Sequence, residues 1–206
     1  MLRRLLLPFV CALALAPSAL AQGGNYVVDG GTRAEQLQVK AALDASSFDF
    51  SVVPGTVAIQ IERGVAPYST PGRIVLDAGL LDTGRLSWGV VQHEYAHQVD
   101  FSVLDDAGRA RLQAALGGSS WCAGPVHANL TCERFADLVS WAYWSSPDNV
   151  LKPAGADDEG GQMAPAAFRA LLAQLLPTPP VRRTASVSVS RPSPKKVRHA
   201  TGSGGS

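Results

Sequence analysis

An α+β fold is the class this amino-acid sequence predicts, on three observations: period-two apolar segments fill the first part of the core, capped segments of helical period fill the rest, and the two kinds do not alternate as βαβ units would. Residues 22–177 suit one domain with a single core, with no internal repeat and no second hydrophobic span.

The elements are expected in this order. Thr32-Arg33-Ala34-Glu35 has capping-box spacing, and Leu37, Ala41 and Ala42 or Leu43 recur at helical intervals, so a first helix is expected over 33–45. FDFSVV (48–53) reads as a strand. After the Pro54-Gly55 break, TVAIQIE follows as another, its Val57, Ile59 and Ile61 alternating with Ala58, Gln60 and Glu62. GVAPYSTPG (64–72) reads as a turn-rich loop and RIVLD (73–77), short and β-branched, as a third strand. Asp82 or Thr83 can cap a helix running through VVQHEYAHQVDFSV, and Asp105 or Asp106 can start the next, stopped by Gly117. Thr131 can cap a helix through ERFADLVSWAYW, and Pro165 suits the first turn of a last one that ends by Pro177.

Both ends are set apart. Arg3 and Arg4 precede an apolar stretch too short and proline-broken to span a bilayer, and Ala19-Leu20-Ala21 fits a cleavage site; residues 1–21 are therefore expected to be a signal peptide, removed near Ala21, and the protein to be secreted to an extracellular or periplasmic space. Cys11 is expected to be lost with it, and the residues before Cys11 lack the small side chains of a lipoprotein signal. From 178 to 206 the chain is rich in Pro, Ser and basic residues, without acid or aromatic side chains, and is expected to be a disordered tail. The whole chain carries a formal charge of +1, but the stretch 22–177 holds ten basic residues against all 17 acidic ones, a net charge of −7, while the tail carries +6. No nucleic-acid partner and no transmembrane segment are expected of this acidic domain, which is expected to be a monomer. The tail can associate weakly with an anionic envelope or serve as a solvated extension.

Two cysteines remain after processing, Cys122 and Cys132. In an oxidising compartment an even count close in sequence predicts a disulfide, worth ~2–3 kcal/mol for so short a loop; two reduced buried cysteines are the alternative.

HEYAH (93–97) carries the chemistry. Histidines at i and i+4 share one helical face and can converge on one ion, while Glu94 beside the first can take a proton from water. Zinc is the expected cofactor, because it lowers the pKa of bound water to about 7 and makes a nucleophile available at neutral pH. With four histidines in the chain, the pattern would arise by chance in roughly two chains per thousand of this composition. Burying these polar side chains with no metal would cost several kcal/mol. A third ligand is needed, and Asp100, His127, Glu133, Asp137 and later acids are candidates, Asp100 fitting better as a helix-face or supporting acid than as a ligand. The extended form HExxHxxGxxH fails at Asp100 and Val103. Glu133 and Asp137 lie at i and i+4: Glu133 can bind the metal while Asp137 accepts the N–H of a ligating histidine, or the two form an acidic face balanced by Arg134.

HExxH followed by ExxxD resembles the gluzincin zinc metallopeptidases, and HEYAHQVD with ERFADLVSWAYW is most similar to the small lethal-factor-like and minimal gluzincin domains. The resemblance covers about 73–145. It implies a zincin-like fold, His93, His97 and Glu133 as ligands, Glu94 as general base, and Asp137 supporting a ligand from behind. It also implies that the strand RIVLD lies at the cleft edge and pairs with an extended peptide or protein substrate. The oxyanion-stabilising Tyr or His of larger relatives has no clear match; His127 in the Cys122–Cys132 loop and Tyr143 on the third-ligand helix are the candidates. The function these residues predict is a zinc peptidase. The alternatives are a non-catalytic zincin-fold protein binding peptide or cell-wall polymer, and a zinc hydrolase acting on a non-peptide bond.

Overall fold

The computed structural model describes residues 24–177. The expected signal peptide, Cys11 and the basic tail lie outside the described residues. The architecture is mixed α and β, with a small four-stranded sheet that has one helix between its first two strands and is followed by the remaining helices. No described helix is long and apolar enough to cross a membrane.

Strand β1 (Tyr26–Gly30) leads into helix α1 (Arg33–Ala45), whose start carries the expected capping box between Thr32 and Glu35. Strand β2 (Val57–Glu62) lies parallel to β1, so this opening segment is a βαβ unit. No strand is expected at YVVDG, and its parallel pairing with Val57–Ile61 is what makes it one. FDFSVV, expected as a strand, forms instead a 3-10 turn at Phe50–Val52. There the Asp49 side chain accepts hydrogen bonds from the Ser51 main-chain N–H and hydroxyl, which curls the backbone, while Phe48, Phe50 and Val53 plug the core from a loop.

Within the expected loop GVAPYSTPG lies a third strand, β3 (Tyr68–Thr70), antiparallel to β4 (Arg73–Asp77). The hairpin turns on Pro71-Gly72, where proline presets its own φ and Gly72 takes the left-handed value of +77°. The strand order is β1-β2-β4-β3. RIVLD is therefore an interior strand, and β3 occupies the edge where RIVLD was expected.

Asp77 caps the short helix α2 (Ala78–Leu81), and a 3-10 turn at Gly84–Ser87 passes into α3 (Trp88–Ser102). Neither Asp82 nor Thr83 caps α3, because Thr83 Oγ1 donates instead to the Leu80 carbonyl. Helix α4 (Asp106–Leu116) has Asp105 as its cap and ends at Gly117, with φ +70°, as expected. In α5 (Thr131–Tyr143) the cap position falls on Leu130, and the Thr131 hydroxyl, 2.7 Å from the Gly117 carbonyl and 3.0 Å from that of Ser120, donates to one of them and ties the helix start to the preceding loop. Helix α6 (Pro165–Leu175) begins on its proline.

Helix α3 runs through the middle, packed against α5, α1 and the β3–β4 hairpin, and every residue from 91 to 100 is buried. Val91, Tyr95, Ala96 and Val99 contribute to the core together with Ile59, Leu76, Phe135 and Leu138. Its buried polar side chains need partners, and apart from Gln92 Oε1 they find them. Gln92 donates to the Ala42 carbonyl (2.7 Å), and Gln98 donates to Thr70 O (3.0 Å) while accepting from Gly72 N (2.8 Å). Asp100 receives Arg109 Nε at 2.7 Å and Trp121 Nε1 at 3.0 Å. His93, Glu94 and His97 remain.

Asp100 is 2% exposed, so removing its carboxylate leaves Arg109 Nε and the Trp121 N–H without their acceptor, although Arg109 keeps its bond to the Asp100 main-chain carbonyl. Asp100→Ala is expected to lower stability by about 2–3 kcal/mol, less than for a fully buried pair because Arg109 reaches solvent. Urea unfolding at neutral pH measures it, with Asp106→Ala, at the solvent end of the same arginine, within about 0.5 kcal/mol of wild type.

Candidate metal centre

His93 and His97 stand one turn apart on the face of α3 that meets α5, and their side chains converge with that of Glu133 from the first turn of α5. His93 Nε2 lies 3.1 Å from His97 Nε2 and 3.1 Å from Glu133 Oε2, and His97 Nε2 lies 3.3 Å from the same oxygen. From the other side Asp137, one turn further along α5, meets His93 Nδ1 at 2.7 Å. That contact gives His93 an Nδ1–H donated to the carboxylate and aims Nε2 at the triangle. His93, Glu94 and His97 are 8, 6 and 7% exposed, so the donors meet in a largely dry place.

Three electron pairs facing one another repel unless something positive lies between them. Without metal that something is a proton. Burial works against the imidazolium of His93, but the carboxylates of Asp137 and Glu133 more than offset it and push its pKa from 6.5 up to about 10. Burial likewise opposes the Glu133 carboxylate, yet the His93 and His97 imidazoles facing it hold it well below the usual carboxylate range. Two imidazoles and one carboxylate are also the donor set of three-ligand zinc sites, and edges of 3.1–3.3 Å are the separations of ligands about 2 Å from a shared ion. The residues fit a metal, and His93, His97 and Glu133 could hold one.

The triangle opens into a cleft of about 340 Å³. Its floor is His93, Glu94, His97 and Glu133; Pro67, Tyr68 and Ser69 form one wall, and Phe101, Cys122 and His127 close the other side. Glu94 thus lies at the same opening as the donor set. Its Oε2 is 2.8 Å from the Ser69 hydroxyl.

The second wall hangs on the bridge between Cys122 and Cys132, which closes the expected loop with the two Cα atoms 5.5 Å apart. Cys132 directly precedes Glu133, and Trp121 directly precedes Cys122 and is bonded to Asp100 of α3, so both ends of the loop are fastened beside the donors. Arg134 adds bonds to the carbonyls of Leu116 and Ala128. This loop brings His127 to the cleft, its Nε2 3.0 Å from Glu133 Oε2 and its Nδ1 3.0 Å from Glu159 Oε1.

Tyr143 does not reach the cleft. It sits at the far end of α5, edge-on to Phe48 at 5.0 Å, and lines a separate apolar pocket with Val52 and Leu176. Ten residues separate it from Glu133 along α5, nearly three turns, which carries it away from the metal donors. Asp100 is no ligand either, being engaged by Arg109 and Trp121. Ser69 carries no signal of its own in the sequence, and Glu159 stands there only among the later acids. Ser69 was hidden because the Pro71-Gly72 turn was not recognised as a hairpin; Glu159 lies in an irregular loop where nothing local marks it. Comparison of the chain with protein-family models, with curated proteins and with solved structures finds no match.

A cation must displace the proton held at His93 Nε2, which gives its binding a defined pH dependence. The His93 pKa is raised, so the stabilising charge pair of the metal-free site is complete below pH 6.5 and fades as pH rises towards about 10. Cation affinity runs the other way. Zinc binding is expected to strengthen about tenfold per pH unit between pH 7 and 9, with about one proton released per ion at pH 7.5. Chelator competition across that range measures the first, and calorimetry in buffers of different ionisation enthalpy the second. Elemental analysis is expected to find one zinc per wild-type chain and loss or marked weakening in Glu133→Ala.

Proposed function

We propose that this protein is a secreted zinc-dependent peptidase of the gluzincin type, with a zincin-like fold over 22–177. The observation that carries the reading is the meeting, in one cleft, of a His93–His97–Glu133 donor triangle with the carboxylate of Glu94. A zinc ion held by those three side chains would supply Lewis acidity, polarising a carbonyl and acidifying water.

The chain's own residues have separable tasks. Asp137 holds the His93 ring in one tautomer and orientation through the 2.7 Å contact at Nδ1. Glu94 takes the proton from the attacking water and passes it to the nitrogen of the leaving amine, so a peptide bond is cleaved with no net proton change at the enzyme. His127, mostly exposed and held at Nδ1 by Glu159, keeps its Nε2 3.0 Å from Glu133 Oε2; with Glu133 engaged by a cation, that Nε2 would be released to donate to the oxygen on which negative charge develops. Strand β3, paired with β4 on one side only among the described residues, offers an edge along which an extended peptide can add as a further strand. Binding alone needs no carboxylate beside the metal donors, and a nearly buried Glu94 lining the same cleft favours turnover over a binder.

The test is hydrolysis of a diverse peptide pool by the zinc-loaded mature protein. Glu94→Gln is expected to keep one zinc per chain and to lower kcat by about 10³-fold or more. His127→Ala is expected to lower kcat by about 10²–10³-fold with little change in KM. Zinc-loaded wild type that cleaves no peptide would sink the reading.

A further inference from the structure

Strand β3 is fastened to α3 by side chains one turn apart on the helix. Gln98 grips the hairpin turn through Thr70 O and Gly72 N, and one turn earlier Glu94 meets the Ser69 hydroxyl. Ser69 Oγ lies 2.8 Å from Glu94 Oε2 and 2.8 Å from the Glu94 main-chain carbonyl. A hydroxyl has one proton to give. The carbonyl, in mid-helix, already faces the N–H of Gln98 along the helical ladder, whereas the carboxylate Oε2 has no other donor among the described residues. The proton of Ser69 therefore goes to the carboxylate, and Oε1 is left for the cleft that Glu94 lines.

Resting on the peptidase reading, we propose that Ser69 is a positioning residue for Glu94: it fixes the carboxylate from the very strand that an extended substrate would join, so the substrate-binding edge and the general base keep one register. Side chains alternate along a strand, so Ser69 turns its hydroxyl to α3 while its neighbours Tyr68 and Thr70 are exposed. Glu94 is 6% exposed and cannot rely on solvent to orient its carboxylate. Unsupported, the side chain would sample rotamers in which neither oxygen addresses the attacking water, and such a misplacement reduces the rate without weakening substrate binding.

Zinc-loaded wild type, Ser69→Ala and Ser69→Thr are compared in three measurements: steady-state kinetics on one peptide substrate, zinc stoichiometry, and crystal structures of the zinc-loaded proteins. Ser69→Ala is expected to lose about 10- to 100-fold in kcat with KM and zinc unchanged, and to show the Glu94 carboxylate in more than one rotamer. Ser69→Thr, which restores a hydroxyl at the same place, is expected to recover most of kcat and a single rotamer. Wild-type kcat in Ser69→Ala, a proportional rise in KM, or an unmoved Glu94 rotamer would overturn the proposal while leaving the peptidase reading intact. Absence of turnover in zinc-loaded wild type would instead overturn that reading, and with it the catalytic meaning of an ordered Glu94.

Discussion

His93 Nε2, His97 Nε2 and Glu133 Oε2 face one another at 3.1–3.3 Å in a place nearly closed to water, and the rest of the structure is arranged around that convergence. Left alone, such a cluster would push the two helices apart, since each donor loses its hydration on burial and gains a repulsive neighbour. The structure offsets this with Asp137 behind His93, and with apolar packing of Phe135, Leu138 and Val139 on α5 against Val91, Tyr95 and Val99 on α3. The packing holds the helices at a separation that the donors alone would not choose. A proton or a cation then completes the balance.

Burial of α3 on all sides makes its polar residues informative. In a helix with a solvent face, Gln92, Gln98 and Asp100 would be unremarkable surface groups. Here each is tied to a neighbouring element: Gln92 to α1 through the Ala42 carbonyl, Gln98 to the β3–β4 hairpin, and Asp100 to both α4 and the cysteine loop. The helix that carries the donors is thereby also the one to which the surrounding elements are hydrogen-bonded. A shift of any of those elements must strain a bond to α3, so the cleft is assembled with reference to the donors.

How much of this could be read from the residues depended on range. Local signals read well: the Thr32–Glu35 box, the alternation of Val57, Ile59 and Ile61, the Asp105 cap, Gly117 as a stop and Pro165 as a start all appear where periodicity and capping chemistry put them. His93, His97, Glu133 and Asp137 were legible because helical spacing at i and i+4 determines which side chains share a face, and the fold brings the two faces together. What failed depends on partners distant in sequence. β1 is a strand only because β2 lies beside it, and FDFSVV has the alternation of a strand but is bent by the Asp49 side chain. Tyr143 shares a helix with Glu133, yet ten residues carry it out of reach, a distance that helix geometry alone could have supplied. Glu159 had no local signal at all.

The cleft is bounded on its two sides by elements of very different make. One wall is a three-residue edge strand with a tight Pro71-Gly72 turn, held to α3 by Gln98 and Ser69. The opposite wall is an irregular loop that has little core of its own, and there a covalent bridge, the Trp121–Asp100 bond and the two carbonyl contacts of Arg134 replace regular structure. A short chain cannot enclose a site by adding layers of helix and strand, because a small domain buries a smaller fraction of its surface than a large one and has little core to give to extra layers. Fastening two thin walls to one buried helix achieves the same definition with few residues. It also explains why the bridge ends at Cys132: fixing the residue next to Glu133 restrains the third donor and the His127 loop together, at the point where the cleft has least secondary structure to rely on.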